Sequence, residues 1–445
     1  MRKLFGTDGI RGRAHVYPLD VASMLALGES TAHRLRAAGI SPVVILGMDT
    51  RESGPEIALA LREGIRRGGG NARFAGVIPT PGVAYLCRER DAGAAVSISA
   101  SHNPWHDNGV KLFGHDGMKL SDEIELRIEE EMLAIRNESE TLASAEPLEH
   151  DPSLSASYVR FLESGFGPRA LAGRKIVVDA GNGAAFEIGV ELFRRAGADV
   201  VAMFTSPDGK NINENCGALH PEAMAARVIA EKADFGVSFD GDADRVIFAD
   251  DRGVIRNGDE VLYLIATRRK AEGQPGSDVV VATVMSNLGF EKRLAADGIE
   301  LVRANVGDKY VLEKMLERGA TIGGEQSGHV IDLACHTTGD GIHTALVLGA
   351  ILARESRRFS EIETFAPMPQ ILLNRKVGAR PPLDSLPRYR EALAEEESRL
   401  AGEGRILVRY SGTENLVRVM IEGPDAEMIR GAAERLTAIL ADEIG

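Results

Sequence analysis

The chain has 445 residues, with 52 basic side chains against 66 acidic ones and a net charge of −14. Its length allows about three domains, and its 44% hydrophobic and 27% charged residues are the mix of an ordinary water-soluble globular protein. The acidic balance argues against electrostatic nucleic-acid binding, the longest apolar run (residues 345–353) is too short for a bilayer, and the opening MRKLFGTDG lacks the apolar stretch of a secretory signal.

Three stretches of the chain share one pattern. The first places a strand at 43–46, a helix at 56–68 ending in glycine, a second strand at 72–78 and a third at 94–98. The second repeats this at 175–178, 186–197, 200–204 and 235–239, and the third at 279–282, 290–298, 301–306 and 321–322. Glycine just past each helical segment is a stop signal, and apolar strands alternating with helices predict mixed, mainly parallel sheets in an α/β fold. The last eighty or so residues read differently: helices at 388–400 and 426–441 flank strands at 406–410 and 416–422, an α+β domain with SGTEN as its turn. The expected domains are 1–155, 156–254, 255–366 and 367–445, with residues 137–152 as the first linker and 365–369 as the last. Cys87, Cys216 and Cys335 are widely spaced and form no C-x-x-C pair. That excludes a disulfide framework or a Cys-rich zinc site and fits a reduced, cytoplasmic protein.

Chemistry concentrates just past the third strand of each repeat, in SASHNPWHDNGVK, DGDADR and GGEQSGH. Ligands bind beyond the carboxyl ends of strands in open α/β sheets, so these loops are expected to contribute parts of one site. Asp240, Asp242 and Asp244 alternate, as hard oxygen ligands for Mg²⁺ or Ca²⁺ would. An EF-hand is excluded, because its sixth and twelfth positions would be Arg245 and Asp251 and a strand precedes the loop. Arg245 beside a divalent ion suits an anionic phosphoryl group. Ser101, followed by His102, Asn103 and Pro104, lies in a loop rich in hydrogen-bonding groups and not in a G-x-S-x-G elbow. With a metal and cations nearby, phosphoryl transfer through its oxygen is more natural than acyl transfer. Lys111 follows ten residues on; taken alone it would more often be a solvated surface lysine. Pro104 between His102 and His106 forbids a shared helical face and argues against zinc. The glycines of DAGNGAAF end in Phe186, where a dinucleotide fingerprint needs a small residue, so a tight strand-to-helix turn is the better reading. Arg409, Ser411, Gly412 and Thr413 in RYSGT, with Arg418 nearby, could hold a phosphate without reacting with it; an ordinary glycine hairpin beside an arginine is the alternative.

Together, and in this order, the serine loop, DGDADR, the GE-x-S-GH loop and the RxSGT loop resemble those of the α-D-phosphohexomutase superfamily over nearly the whole chain. KLFGTDGIRG, PTPGVAYL, NINENCG, TVMSNLG and GEQSGH resemble the branch of that family acting on glucosamine phosphates; Gln326 stands where glucose and mannose enzymes usually carry methionine. The resemblance implies three tandem α/β domains and a C-terminal α+β domain around a central cleft. It implies reversible conversion of glucosamine 6-phosphate to glucosamine 1-phosphate through glucosamine 1,6-bisphosphate, feeding UDP-N-acetylglucosamine and peptidoglycan precursors. Ser101 would carry phosphate, and one Mg²⁺ would sit on Asp240, Asp242, Asp244 and the phosphoserine. Glu325 and Ser327 would bind the sugar hydroxyls, while Arg409, Ser411, Gly412, Thr413 and Arg418 would hold the phosphate that is not reacting. Lys111, His329, Arg11, His102 and Arg245 would stand near the transferring group. The expected partners are small amino-sugar phosphates, with neither nucleic acid nor membrane, and a homodimer is left open. Met48, Ala218, Tyr410 and Asn415 depart from the usual branch pattern.

Overall fold

Residues 4–6, 8–138, 140–142, 148–167, 169–355, 357–411 and 415–445 are described by the computed structural model. Packing groups the chain into two units, one of residues 1–283 with 302–363 and one of residues 284–301 with 364–445.

The first unit contains three sheets of one plan. Strands β1 (Ile10–Arg13), β2 (Val43–Met48), β3 (Asn71–Val77), β4 (Ala94–Ile98) and β5 (Asp107–Gly114) lie in the order β1-β5-β4-β2-β3. Strand β2 runs parallel to β3 and β4, whereas β5 returns antiparallel to β4 and pairs antiparallel with β1. The second sheet, of β6 (Lys175–Asp179), β7 (Asp199–Met203), β8 (Phe235–Phe239), β9 (Val246–Asp250) and β10 (Ile255–Arg256), has the order β10-β9-β8-β6-β7. There β6 is parallel to β7 and β8, and β9 is antiparallel to β8. In the third, β11 (Val279–Thr283), β12 (Glu300–Ala304), β13 (Ile322–Gly324) and β14 (Val330–Asp332) are ordered β12-β11-β13-β14, with β13 parallel to β11 and antiparallel to β14.

Each predicted repeat is thus present, and each gains an antiparallel return strand (β5, β9 or β14). The chemical loops are the reversals between β4 and β5, β8 and β9, and β13 and β14. A connection of a few polar residues can only reverse the chain, because a parallel return needs a crossover of a dozen residues or more. Val44, Ile45 and Leu46 of β2 are all fully buried, as strands covered on both faces require. Burial of each such side chain contributes about 1.5–3 kcal/mol. Helices Val21–Ala37 and Gly54–Arg67 pack closely because Gly28 and Gly64 have no side chain; a Cβ on Gly64 would lie 2.0 Å from the Leu25 carbonyl oxygen. The predicted first linker lies partly outside the described residues, and helix Pro152–Ser164 begins at its last position.

The second unit is built on an antiparallel sheet of β15 (Gln370–Lys376), β16 (Arg405–Tyr410) and β17 (Leu416–Glu422), in the order β15-β17-β16. Helices Pro387–Leu400 and Ala426–Ile444 match the two predicted there. Fully buried Val417, Val419 and Ile421 pack with Ile429, Leu436 and Leu440. The segment 284–301 joins this unit through Arg405, which pairs with Glu422 and donates to the carbonyls of Val284 (2.9 Å) and Ser286 (2.7 Å). No described helix is long and apolar enough to cross a membrane.

Candidate active site

The serine loop leaves β4 and immediately bends. Ser101 is a fully buried non-glycine residue at φ 53°, a left-handed conformation that persists only where the surroundings enforce it. Those surroundings are specific. The Ser101 N–H donates to Ser99 Oγ (2.9 Å), whose hydroxyl donates to Asp49 Oδ2 (2.6 Å). The buried Arg51 guanidinium pairs with Asp49 (2.9 Å) and donates to the carbonyls of Ser101 (3.0 Å), Asn103 (2.8 Å), Asp107 (3.0 Å) and Pro104. Asn213, from NINENCG, donates to the Ser101 carbonyl from the other side (2.9 Å). These bonds hold the backbone of the reversal at Ser101, Asn103, Pro104 and Asp107. Gly241 lets the metal loop approach this close, since a Cβ there would stand 2.5 Å from the Ser101 carbonyl oxygen.

The aspartates meet the serine. Ser101 Oγ donates to Asp240 Oδ2 at 2.6 Å, and one oxygen each of Asp240, Asp242 and Asp244 lie within 4.8 Å of one another. All three are buried. Burial, followed by the neighbouring Asp244 and Asp242, drives the Asp240 carboxyl well above the usual range. Burial also opposes ionisation of Asp244, but Lys111, His329 and Arg245 outweigh it and hold that pKa well below the usual value. Asp242 Oδ1 and Asp244 Oδ1 are buried without a hydrogen-bond partner. Crowded carboxylates of opposite tendency, with oxygens that no hydrogen bond satisfies, are what a hard divalent cation would satisfy. The donor set fits Mg²⁺.

Cations surround this cluster. Lys111 on β5 sends its ammonium to Asp242 (3.0 Å), Asp244 (3.1 Å) and Asp8 (3.2 Å). It is buried, not the solvated surface lysine that the residue taken alone would more often be, and the three carboxylates outweigh burial to raise its pKa well above normal. Arg11 pairs with Asp8, and the Arg245 backbone N–H donates to Asp240 Oδ1 (3.2 Å). The Nε atoms of Arg11 and Arg245 are buried without hydrogen-bond partners. His102 Nδ1 lies 3.4 Å from Ser101 Oγ, and burial, then Arg245 and Arg11, push its pKa down to about 4. It is therefore a neutral imidazole near pH 7. His106 is half exposed beside Asp107 (3.7 Å) and forms no cluster with His102.

The third loop docks on the second sheet, with the Val246 N–H donating to the Gly328 carbonyl (3.1 Å) and the Gly258 N–H to the Gln326 carbonyl (3.0 Å). This brings His329 to 3.6 Å from Asp244 and 3.8 Å from Asp308. Burial opposes its charge, but Asp244, then Asp308 and Glu325, raise its pKa. Glu325 accepts from the Gly307 N–H (3.1 Å) and from Ser327 Oγ (3.2 Å), while Gln326 turns toward Asp259 (3.5 Å). In the second unit, Arg409 and Arg418 face each other in register on β16 and β17. Arg418 donates to Ser411 Oγ (3.5 Å) and Arg409 to Met285 Sδ (3.9 Å). Burial, then Arg418, lower the Arg409 pKa, so this pair of cations suits an anion. Gly412 and Thr413 lie outside the described residues.

Supporting residues that motif reading passed over are Asp8, Asp49, Arg51, Thr80 and Asn213. Thr80 donates to Asp242 Oδ2 at 2.7 Å. Asp8 stands inside GTDG, Arg51 inside DTRESG and Asn213 inside NINENCG, so dense clusters of small and polar residues were the available signal. A second cluster, Asp332, Cys335 and His343, also has ligand atoms within 4.8 Å. There Asp332 is engaged by Arg269 and by His343 (3.0 Å), which makes it an ion-pair network.

Three similar α/β layers, an antiparallel C-terminal sheet and a serine facing three aspartates define a phosphoryl-transfer enzyme architecture. The chain matches the models of phosphoglucomutase/phosphomannomutase alpha/beta/alpha domains I (residues 2–139), II (156–253) and III (257–367) and of the C-terminal domain (372–439). It belongs to that family. Phosphoglucosamine mutases of Solibacter usitatus and Symbiobacterium thermophilum are each 45% identical to it over all of this chain and 99% and 100% of theirs. A phosphoglucomutase/phosphomannomutase family protein from Burkholderia thailandensis shares the fold at TM-score 0.81, with 24% identity over 99% of this chain and 98% of that one.

Proposed function

We propose that this enzyme interconverts glucosamine 6-phosphate and glucosamine 1-phosphate through a phosphoserine at Ser101 and a glucosamine 1,6-bisphosphate intermediate. Carrying the reading is the Ser101 hydroxyl, held at 2.6 Å from Asp240 in a reversal that Arg51, Ser99 and Asn213 immobilise. Full-length identity of 45% to phosphoglucosamine mutases supports the choice of sugar.

Phosphorylated Ser101 passes its phosphoryl group to the free hydroxyl of the bound sugar phosphate: a P–O bond forms to the sugar oxygen, the bond to Ser101 Oγ breaks, and the hydroxyl proton leaves to a nearby base. After the bisphosphate turns over, its other phosphoryl group returns to Ser101. Bound Mg²⁺ would be held by Asp240, Asp242, Asp244 and the phosphoserine, and would neutralise charge on the transferring group. Lys111, Arg11 and Arg245 add fixed positive charge around the same place, while the neutral imidazole of His102 is a candidate for taking the proton, and His329, whose pKa is raised, stands close by. Glu325 and Ser327 bind the sugar hydroxyls in either orientation, and Arg409, Ser411, Gly412, Thr413 and Arg418 hold the phosphate at rest. The proposed domain limits are 1–155, 156–254, 255–366 and 367–445. The cytoplasm is the setting we propose, with the product directed to UDP-N-acetylglucosamine.

The test is kcat/KM for glucosamine, glucose and mannose phosphates, with Mg²⁺ and the matching bisphosphate as primer. A preference for glucosamine of about a hundredfold, some 2.7 kcal/mol, supports the reading. Equal rates on the three sugars would reduce it to a general hexose mutase.

A further inference from the structure

Behind the reacting groups runs a line of alternating charges that joins the first sheet to the third. Asp8 receives Lys111 and Arg11 on one side and Lys119 on the other. The same Lys119 ammonium reaches Asp308 Oδ2 at 2.5 Å. Asp308 is the first residue of helix Asp308–Arg318, and the preceding Gly307 N–H holds the Glu325 carboxylate. Two more contacts close the same seam: Thr337 Oγ1 donates to the Gly117 carbonyl (2.6 Å), and Lys309 pairs with Asp122. Lys119 is largely buried, with 15% of its side chain exposed, as is Asp308. Lys119 is linked to the aspartate cluster by two routes, through Asp8 and Lys111 and through Asp308 and His329, and pairs directly with none of the three aspartates.

We propose that Lys119 is a positioning residue that locks the loop carrying Asp8 to the start of helix Asp308–Arg318, and thereby sets the sugar-binding loop in register with Lys111 and Ser101. Two carboxylates, one from the turn before β1 and one from the start of helix Asp308–Arg318, meet one ammonium, so neither segment can shift without leaving a largely buried charge unpaired. Displacement of about 1 Å between reacting groups is enough to lower a rate on the order of a hundredfold. The inference rests on the mutase reading for its substrate, though not for its geometry.

Four variants test it: K119M, K119R, D308N and K119M/D308N. Wild type is first run on glucosamine, glucose and mannose phosphates, and the variants are then compared on whichever sugar turns over. Failure on glucosamine phosphate alone therefore sinks the substrate assignment and leaves the clamp under test. K119M is expected to lose about ten- to a hundredfold in kcat, with the Mg²⁺ titration unchanged. K119R should recover most of that loss, because a guanidinium can bridge two carboxylates. The double variant should be no slower than K119M, because both substitutions break one link. If K119M does not fold by circular dichroism, D308N carries the same expectation. A K119M rate within about twofold of wild type, K119R as slow as K119M, or losses that multiply in the double variant would overturn the clamp.

Discussion

Ser101 draws its importance from what surrounds it and contributes little to what holds the loop. Its side chain makes one short hydrogen bond, to Asp240, worth about 1 kcal/mol, while Arg51, Ser99 and Asn213 fix its backbone. Ser101→Ala should therefore abolish turnover, by on the order of 10³-fold or more, and lower stability by no more than about 1 kcal/mol. Rates from a coupled assay and a urea melt check both halves. A second residue-scale prediction concerns His343. Burial opposes its charge, but Asp332, Cys335 and Asp340 outweigh it and raise its pKa to about 10, against 6.5 for an ordinary histidine. The raised value means that its contribution to stability is complete below pH 6.5 and is lost as the pH climbs through 10. His343→Gln should consequently destabilise most at pH 6–7, and the gap from wild type should shrink by pH 10; a gap independent of pH would place the histidine in its neutral form. Ser101 and the aspartates were legible because alternating acids after an apolar strand, and a serine before His-Asn-Pro, are local patterns. Arg51 and Asp8 were not, since each acts on groups that only the tertiary fold brings near.

At the scale of elements, the three loops are reversals whose geometry depends on glycine where backbones meet. Gly328 is the clearest case. It sits at φ +92°, and a Cβ there would stand 2.3 Å from the Val246 carbonyl oxygen, while its own carbonyl accepts from the Val246 N–H. Gly328→Ala combines a conformation that costs about 1–3 kcal/mol for a side-chain-bearing residue with a backbone clash. We expect a stability loss of about 2 kcal/mol or more and a fall in kcat, because His329 and Glu325 ride on this reversal. Differential scanning calorimetry together with steady-state rates would show it, and an unchanged kcat would mean that the loop is not held by this contact. The strand–helix–strand units were readable from apolar runs and helix-stopping glycines. Their return strands β5, β9 and β14 were less visible: β14 is only three residues long, and β5 begins with the polar pair Asp107 and Asn108, so neither announces itself by composition. Two of the departures from the branch pattern settle into local packing. Met48 lies against the first core, and Tyr410 donates its hydroxyl to the Pro381 carbonyl (2.7 Å).

Over the whole molecule, chain order and packing order differ at one place. Residues 284–301 follow β11 in sequence, yet they belong with the C-terminal sheet. Repeat reading assigns a helix near 290–298 to the third unit by analogy with the first two, and periodicity carries no information about which sheet that helix will join. The attachment is polar and centred on Glu422, which is fully buried. Its carboxylate takes Arg405, the Leu288 N–H (3.2 Å) and Gln370 Nε2 (3.2 Å), and Arg405 also reaches the carbonyls of Val284 and Ser286. Arg405→Ala removes the cation and leaves a buried carboxylate with two neutral donors, a change that typically destabilises by about 3–5 kcal/mol. The loss should be confined to the second unit, because every one of these partners lies within it. Hydrogen exchange should then show weakened protection in β15, β17 and helix Leu288–Ala296, with β2, β4, β6 and β8 unchanged. Equal loss of protection in those four strands would mean that the two units unfold as one cooperative body, and the local account of Arg405 would fail.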